Sequence, residues 1–570
     1  MGRIIALIYL QLLSFHLIGQ VTKTYQPPVD FPMVLSGNFG ELREDHFHSG
    51  IDIKTRGTIG HRVKSIDEGY VSRIKVQANG YGKSIYIDHP GGVTSVYGHL
   101  DRYREDLAAF VKEVQYKRRS HTVDIYLKPD QFRIGKGEII AYSGNTGGSS
   151  GPHLHLEIRT TGDQHPTNVL KYGFDIADHA APRFRTLSIE PADPESHING
   201  KVAKQHFPLL LDGGIYTVPY GTRITGSGKL GVYVEVFDYL DGAGNRCGIY
   251  TLEMFLDGKR VYAHTMDEFS FSETRYINAH VDYEDLILEN RKVHRLHRLP
   301  NDRLRIYDGL VDDGWVTIHD NITHELRVVA KDVAGNSATL EFKIKGDPEG
   351  LDKGSLEPVQ GKFMKYNEKN HFESEGIIVD IPSLAFYQDH YFKFGKKPAT
   401  SGSLSELYEI DSPGTAVHLP YTLSIRSSVM DPALQEKLLL VKLDEQGDWE
   451  AAGGEFAGGY VVASLSNFGT YAIAADTVSP EIIPLAFSPG GDMSGARSLR
   501  FTIRDDLSGI DKYQGYIDNK WALFEYDPKN DLLEYIFDKE RITTGVTHEL
   551  ELYVTDLQGN ANLFHATFTW

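Results

Sequence analysis

A chain of 570 residues is longer than one hydrophobic core organises, so it is expected to fold as several domains. Its 78 acidic residues against 59 basic ones give a formal charge of −19, which argues against nucleic acid as a ligand. A single cysteine, Cys247, excludes an internal disulfide.

The first element is a short basic start, Met1-Gly2-Arg3, followed by an apolar run from Ile4 to Gly19 broken by Gln11, Ser14 and His16. This predicts a secretory signal peptide over residues 1–20, cleaved near Gly19 or Gln20, although Leu17 fits the small-residue rule poorly. The run is short for a membrane span, and no later run is apolar enough to replace it. No cysteine follows it, so a lipid anchor at the mature end is not expected. Export without disulfides suits a bacterial envelope protein, in the periplasm or at the cell surface.

The first candidate ligands lie in His46-Phe47-His48-Ser49-Gly50-Ile51-Asp52. On a straight strand, positions four apart are about 13 Å apart, too far to share one ion, and β-branched Ile51 and Ile53 argue against a helix. A loop entering a strand is expected, with Ser49 and Gly50 supplying the bend. His46 is expected to be a flanking residue, and His89 to sit in the turn Asp88-His89-Pro90-Gly91-Gly92. Tyr97, just before Gly98-His99-Leu100, is expected to pack at the edge of a site. After Asp106 as a possible cap, Leu107, Phe110, Val111 and Val114 share one helical face, with Arg118 and Arg119 at the far end where cations suit the dipole. The alternation from Thr122 to Leu127 then predicts a strand.

The run His153-Leu154-His155-Leu156-Glu157-Ile158 has period two, so His153, His155 and Glu157 project together while Leu154, Leu156 and Ile158 face the core. One of the two histidines suits a metal and the other its water. Glu157 either orients a ligand or is a solvated strand carboxylate. Histidine is common here, 24 in 570, so a His-x-His pair is expected about once by chance; alone, it is better explained as surface or hydrogen-bonded histidine. Together with His48 and Asp52, however, two imidazoles and one carboxylate make a set suited to hydrolytic zinc, with a fourth position left open for water.

These segments occur in the order HFHSGIDIKT, GYGKSIYIDHPGGVTSVYGHL and IGKGEIIAYSGNTGGSSGPHLHLEIR. In that order the chain, over about residues 30 to 175, resembles the lysostaphin-type (LytM-like) zinc endopeptidases of bacterial cell walls. The resemblance implies an antiparallel β-sheet peptidase domain over 21–177 that binds Zn2+ through His48, Asp52 and His155. It further implies that His153 is the general base, that His99 supports the transition state by donating to the oxyanion, and that the substrate is the stem peptides of peptidoglycan. The stretch of about 104–132 is an insertion relative to the family and is expected either to wall the groove or to decorate the surface. Some relatives lose ligands and activate cell-wall amidases through the same groove, which leaves a non-catalytic regulator as the alternative.

Alternating apolar runs such as Val232-Tyr233-Val234-Glu235-Val236 and Leu499-Arg500-Phe501-Thr502-Ile503, with 56 glycines, predict a mainly β protein with few helices. Beyond residue 178 a repeat is visible. Asp178-x-x-x-Pro182 matches Asp476-x-x-x-Pro480, Asp238 to Gly242 matches Asp505 to Gly509, Asp257-Gly258-Lys259 matches Asp518-Asn519-Lys520, and Asp332 to Asn336 matches Asp556 to Asn560. Duplicated immunoglobulin-like β-sandwiches are expected over 178–347 and 476–570, with a β-rich unit over 348–475 between them. The extra length of the first copy lies largely between Lys259 and Asp332. The acidic turns are explained by internal hydrogen bonds sooner than by calcium. These modules are expected to position the peptidase on the wall or to dock an envelope protein partner.

Overall fold

A computed structural model describes residues 24–355, 360–444 and 446–570 of the chain. The expected signal peptide lies outside the described residues. Strand makes up 45% and helix 8%, so the protein is mainly β, as the alternating runs predict.

The N-terminal unit is built from strands β1 (Leu35–Gly37), β2 (Ile51–Lys54), β3 (Arg62–Lys64), β4 (Gly69–Val76), β5 (Lys83–His89), β6 (Val93–Gly98) and β7 (Leu100–Tyr103). Helix α1 (Glu105–Arg118) follows, then β8 (Val123–Tyr126), β9 (Arg133–Ile134), β10 (Ile139–Ser143), β11 (His153–Thr160) and β12 (Pro166–Thr167). The larger sheet is ordered β1-β2-β11-β6-β5-β4-β8, with β12 on β11 and β9 on β4; a smaller sheet is ordered β3-β10-β7. All these pairings are antiparallel. Leu154, Leu156 and Ile158 of β11 are fully buried with Ile51 and Ile53 of β2, as period two requires.

Helix α1 buries Leu107 and Val111 against this core, with Phe110 and Val114 half-buried beside them. Its start differs from the expected cap. Arg104 is the capping position and makes no side-chain cap bond; Asp106 sits inside the first turn and pairs with Arg104 at 2.7 and 2.9 Å. Lys117 and Arg118 occupy the last turn, where their charge opposes the exposed carbonyls, and Arg119 closes it in a left-handed conformation. The outer face of this inserted segment is a seat for the C-terminal unit. Tyr116 stacks edge-on against Trp521 with ring centroids 5.2 Å apart, Lys112 pairs with Asp538 at 2.7 Å, and Lys83 pairs with Glu525 at 2.8 Å.

Downstream, the strand Thr225–Phe237 is the spine of a 12-stranded sheet system spanning Arg183 to Gly346. The extra length of this unit is a segment between the strands Lys259–Thr265 and Thr323–Lys331 that contains the helices Ile277–His280 and Tyr283–Glu289. Two five-stranded sheets and a two-stranded sheet occupy 362–475. A four-stranded and a five-stranded sheet over 481–569 share one core that includes Leu499, Phe501, Phe524, Leu550 and Phe568.

The repeat has a physical basis. Asp332 Oδ1 accepts from the backbone N–H groups of Gly335 and Asn336, and the Asn336 amide donates to Asp332 Oδ2 and to the Asp178 carbonyl. Asp556 Oδ1 likewise accepts from Gln558 and Asn560, and the Asn560 amide donates to Asp556 Oδ2 and the Asp476 carbonyl. A fifth match, not singled out in the sequence, is Thr323-His324-Glu325-Leu326 with Thr547-His548-Glu549-Leu550. Each histidine there bonds the turn aspartate, Asp257 or Asp518, at 2.7 Å.

One further core crosses unit boundaries. Phe39, Leu42 and Phe47, from the loop before β2, pack with Phe269, Ile277, Leu299 and Ile306 of the inserted segment and with Tyr387. The loop carrying His48 therefore rests on residues more than two hundred positions downstream.

Candidate metal centre

Asp52 and His155 face each other directly across the β2–β11 pair, a register that puts both side chains on one face at close range. His48 arrives from the preceding loop, held by backbone bonds from Gly40 N–H to His48 O and from His48 N–H to Glu41 O, both 2.9 Å. The bend at Gly50 has a steric cause. A Cβ there would lie 2.3 Å from the Leu156 carbonyl oxygen, so the loop crosses β11 more closely than any side chain allows.

Three ligand atoms converge. His48 Nε2 lies 3.1 Å from Asp52 Oδ1 and 3.2 Å from His155 Nδ1, and His155 Nδ1 lies 2.9 Å from Asp52 Oδ1. His48 and His155 are 7% and 3% exposed, and Asp52 is 9% exposed. Both histidine tautomers follow from their outer partners. A carbonyl oxygen only accepts, so His48 Nδ1–H donates to Asn38 O at 2.8 Å and leaves Nε2 as a lone pair. His155 Nε2–H donates to Glu157 Oε1 at 2.9 Å and leaves Nδ1 as a lone pair. Three acceptors thus face one another, an arrangement that repels itself unless a cation lies among them. Their separations approach the edge of about 3.3 Å expected for tetrahedral ligands at Zn–N of about 2.0 Å. The donor set and its spacing fit zinc.

The charges agree. Burial alone would raise the Asp52 carboxyl, yet His48, His153 and His155 hold it well below the usual carboxylate range. Burial opposes charge on His155, but its hydrogen bonds to Asp52 and Glu157 raise it to about 9. A proton and a divalent ion therefore compete for the same Nδ1 lone pair.

Glu157 is fully buried, which removes the reading of a solvated carboxylate. Its Oε1 also accepts from Ser49 Oγ at 2.6 Å and from the Tyr81 hydroxyl, and its Oε2 accepts from Arg159 Nε at 2.5 Å. Burial works against ionisation, but Arg159 and His155 hold the acid far below its ordinary value. Arg43 reaches Asp52 Oδ2 at 3.2 Å. Tyr81, Arg159 and Arg43 were not singled out in the sequence, and Ser49 was read there only as part of the bend, although Ser49, Tyr81 and Arg159 all lie inside the motif segments.

His153 opens β11 with its Nδ1–H directed at Gly151 O, 2.9 Å away, so Nε2 is a lone pair 3.4 Å from Asp52 Oδ1. His99 lies between β6 and β7 with a left-handed φ of 56°, a conformation uncommon for a non-glycine residue that aims the ring toward His153, centroids 4.7 Å apart. Its Nδ1–H donates to Thr146 O at 2.8 Å. Burial, then the neighbouring His155 and His153, push His99 down to about 3, so neutral His99 offers Nε2 as an acceptor and donates only after receiving a proton. Lys529 of the C-terminal unit donates to the carbonyls of Asn145 and Gly147, flanking the Thr146 carbonyl that holds His99. The C-terminal unit thereby borders the site.

The other candidates lie elsewhere. His46 is exposed and bonds Asp45 at 3.0 Å. His89 is at the end of β5, not in the turn, and is buried with Nε2 bonded to Ser95 Oγ at 2.7 Å. Tyr97 is a core residue at 0% exposure that accepts from the Ile66 N–H at 2.9 Å.

An antiparallel sheet bearing this His/Asp/His cradle is an arrangement able to hold a divalent metal ion. Residues 46–168 match the model of Peptidase family M23, the family of the lysostaphin-type resemblance, and residues 361–476 match a Zu5-like domain. Over 115 residues the chain is 30% identical to DD-carboxypeptidase/endopeptidase Mpg of Neisseria meningitidis serogroup B, covering 20% of each chain. It is 32% identical over 115 residues to an uncharacterized metalloprotease of Haemophilus influenzae, covering 20% of this chain and 19% of that one. The chain thus spans about a fifth of the length of these curated relatives. Among solved structures it is similar to the catalytic domain of lysostaphin from Staphylococcus simulans, at 21% identity over 25% of this chain and 91% of that one, with a TM-score of 0.19. A zinc containing peptidase from Vibrio cholerae is similar at 23% identity over 26% of this chain and 39% of that one, TM-score 0.19.

Proposed function

We propose that the protein is an exported zinc-dependent endopeptidase that hydrolyses peptide cross-links of peptidoglycan. The observation that carries this reading is the convergence of His48 Nε2, Asp52 Oδ1 and His155 Nδ1 within 3.2 Å of one another, with His153 alongside. These three residues would hold zinc, which when bound supplies Lewis acidity to activate water and polarise the scissile carbonyl.

The chain's own residues do the rest. Glu157 and the Asn38 carbonyl fix the ligand tautomers. His153, anchored at Nδ1 and with Nε2 3.4 Å from Asp52 Oδ1, takes a proton from the attacking water and returns it to the leaving amine. His99, whose ring lies 4.7 Å from that of His153, supports the oxygen on which charge develops. We further propose that 21–177 is the catalytic domain and that 178–347, 348–475 and 476–570 are β domains, the outer two immunoglobulin-like, that position it on the wall or dock an envelope protein.

The test is digestion of purified peptidoglycan by the zinc-loaded protein, with products identified by mass. Cross-linked dimers should fall and monomers rise. Intact cross-links, together with stimulation of a wall amidase, would favour the regulatory reading.

A further inference from the structure

Away from the first site, three more imidazoles converge. His264 lies on the strand Lys259–Thr265, His280 ends the helix Ile277–His280, and His294 opens the strand His294–Arg295. Their exposures are 0, 0 and 3%, and one ring nitrogen from each lies within 4.8 Å of the others. The ring centroids are 4.8, 5.4 and 5.6 Å apart.

The proton positions are constrained. The Tyr307 hydroxyl gives its only hydrogen to Asp302 Oδ2 at 2.5 Å, so it accepts from His280 Nδ1–H at 3.1 Å. His280 Nε2 is then a lone pair that accepts from His294 Nδ1–H at 3.3 Å, a proton that an ion bound here would displace. His264 Nδ1 is bonded to the Tyr262 hydroxyl at 3.0 Å, while its Nε2, fully buried, has no hydrogen-bond partner among the described residues. An unpaired polar atom in a dry interior is strongly unfavourable, so this nitrogen is open to a ligand. Burial pushes all three rings well down, His294 to about 4, so they are neutral, the form that ligates.

Anchoring of the outer nitrogens follows the pattern of the first site. There, Asn38 and Glu157 hold the distal nitrogens; here Tyr262 holds His264, and Tyr307 with Asp302 behind it holds His280. His294 also lines a cavity of about 220 Å³ with Glu41, Cys247 and Lys292.

We propose that His264, His280 and His294 form a second, structural transition-metal site, taking Zn2+ or another borderline divalent ion that prefers imidazole, and not Ca2+ or Mg2+, which prefer oxygen. The ion would tie the sandwich strand to the inserted segment on which the His48 loop rests. The His280 and Phe47 rings are 5.9 Å apart, and the Phe47 N–H donates to Thr274 Oγ1 at 2.9 Å. This site stands independently of the proposed hydrolysis.

The experiment uses the full chain carrying Asp52→Ala and His155→Ala, which removes the first cradle and leaves the second intact. Purified from zinc-supplemented medium and desalted, it should retain close to one equivalent of zinc by mass spectrometry. Zinc-edge X-ray absorption on the same sample should show a nitrogen shell with imidazole scattering. His264→Gln added to this background should lower zinc to near zero. Absence of metal in the double variant, an oxygen-dominated shell, or retention of zinc after His264→Gln would each overturn the proposal. If His264→Gln does not fold, the absorption spectrum of the double variant still decides.

Discussion

Glu157→Gln separates what holds the fold from what tunes the metal. Glu157 Oε1 accepts from His155, Ser49 and Tyr81, and Oε2 from Arg159. Glutamine keeps one acceptor oxygen but places an NH2 on the other position, so either orientation sets donor against donor in a site with no access to water. Arg159, only 6% exposed, loses its carboxylate, and breaking a buried pair from one side costs about 3–5 kcal/mol. Separately, loss of the anion behind His155 makes its Nδ1 a poorer ligand, and zinc should bind about 10–100-fold more weakly. Thermal unfolding reads the first effect and competition with a chromogenic chelator reads the second. Adding Arg159→Met to the variant should recover part of the lost stability, because the stranded charge is gone, without recovering zinc affinity. A Glu157→Gln protein that binds zinc as tightly as the wild type would refute the claim that this carboxylate sets the ligand.

Three other outcomes are expected. His153→Ala should retain zinc and lose hydrolysis, whereas Asp52→Ala should lose both, read by metal content and by release of cross-link fragments; activity surviving His153→Ala would remove it as the base. Gly50→Ala forces a Cβ to within 2.3 Å of the Leu156 carbonyl and should destabilise the protein by about 1–3 kcal/mol while lowering zinc content, and unchanged values would contradict the close crossing. Asp238, buried and then repelled by Asp178 and Asp332, is raised to about 7. A carboxyl raised in the folded state favours folding below its unfolded value near 3.8, and that favour is lost as pH climbs to 7. Asp238→Asn should therefore raise stability relative to wild type at pH 8 by up to about 4 kcal/mol, read as a higher Tm, and give little gain at pH 4; equal effects at both would show that this charge is not strained.

Much of the first site was legible because its logic is local. Period two along β11 placed His153, His155 and Glu157 on one face, and that needs no tertiary information. The bend before β2 was legible as a necessity, but its cause was not: Gly50 is required by a carbonyl of β11, a neighbour about a hundred residues away. The same limit hid the full burial of Glu157, whose partners come from three separate segments, and misplaced His89, since a turn signal does not report where the preceding strand ends. The reading of Asp106 as a cap failed by two positions because the helix already begins at Glu105, so Asp106, which accepts from the Leu107 N–H at 2.8 Å, lies inside the first turn. His264, His280 and His294 carry no recognisable spacing, being drawn from two strands and a helix that meet only through long-range packing.

The loop that carries His48 also has a place in time. Phe47 is synthesised early, yet its floor includes Leu304 and Ile306, which follow it by more than 250 residues. At roughly 5–20 residues per second, the ribosome needs about 13–50 s to bridge that interval. A newborn chain therefore holds the His48 loop unsupported until the middle of the molecule exists, so the cradle is completed late in synthesis.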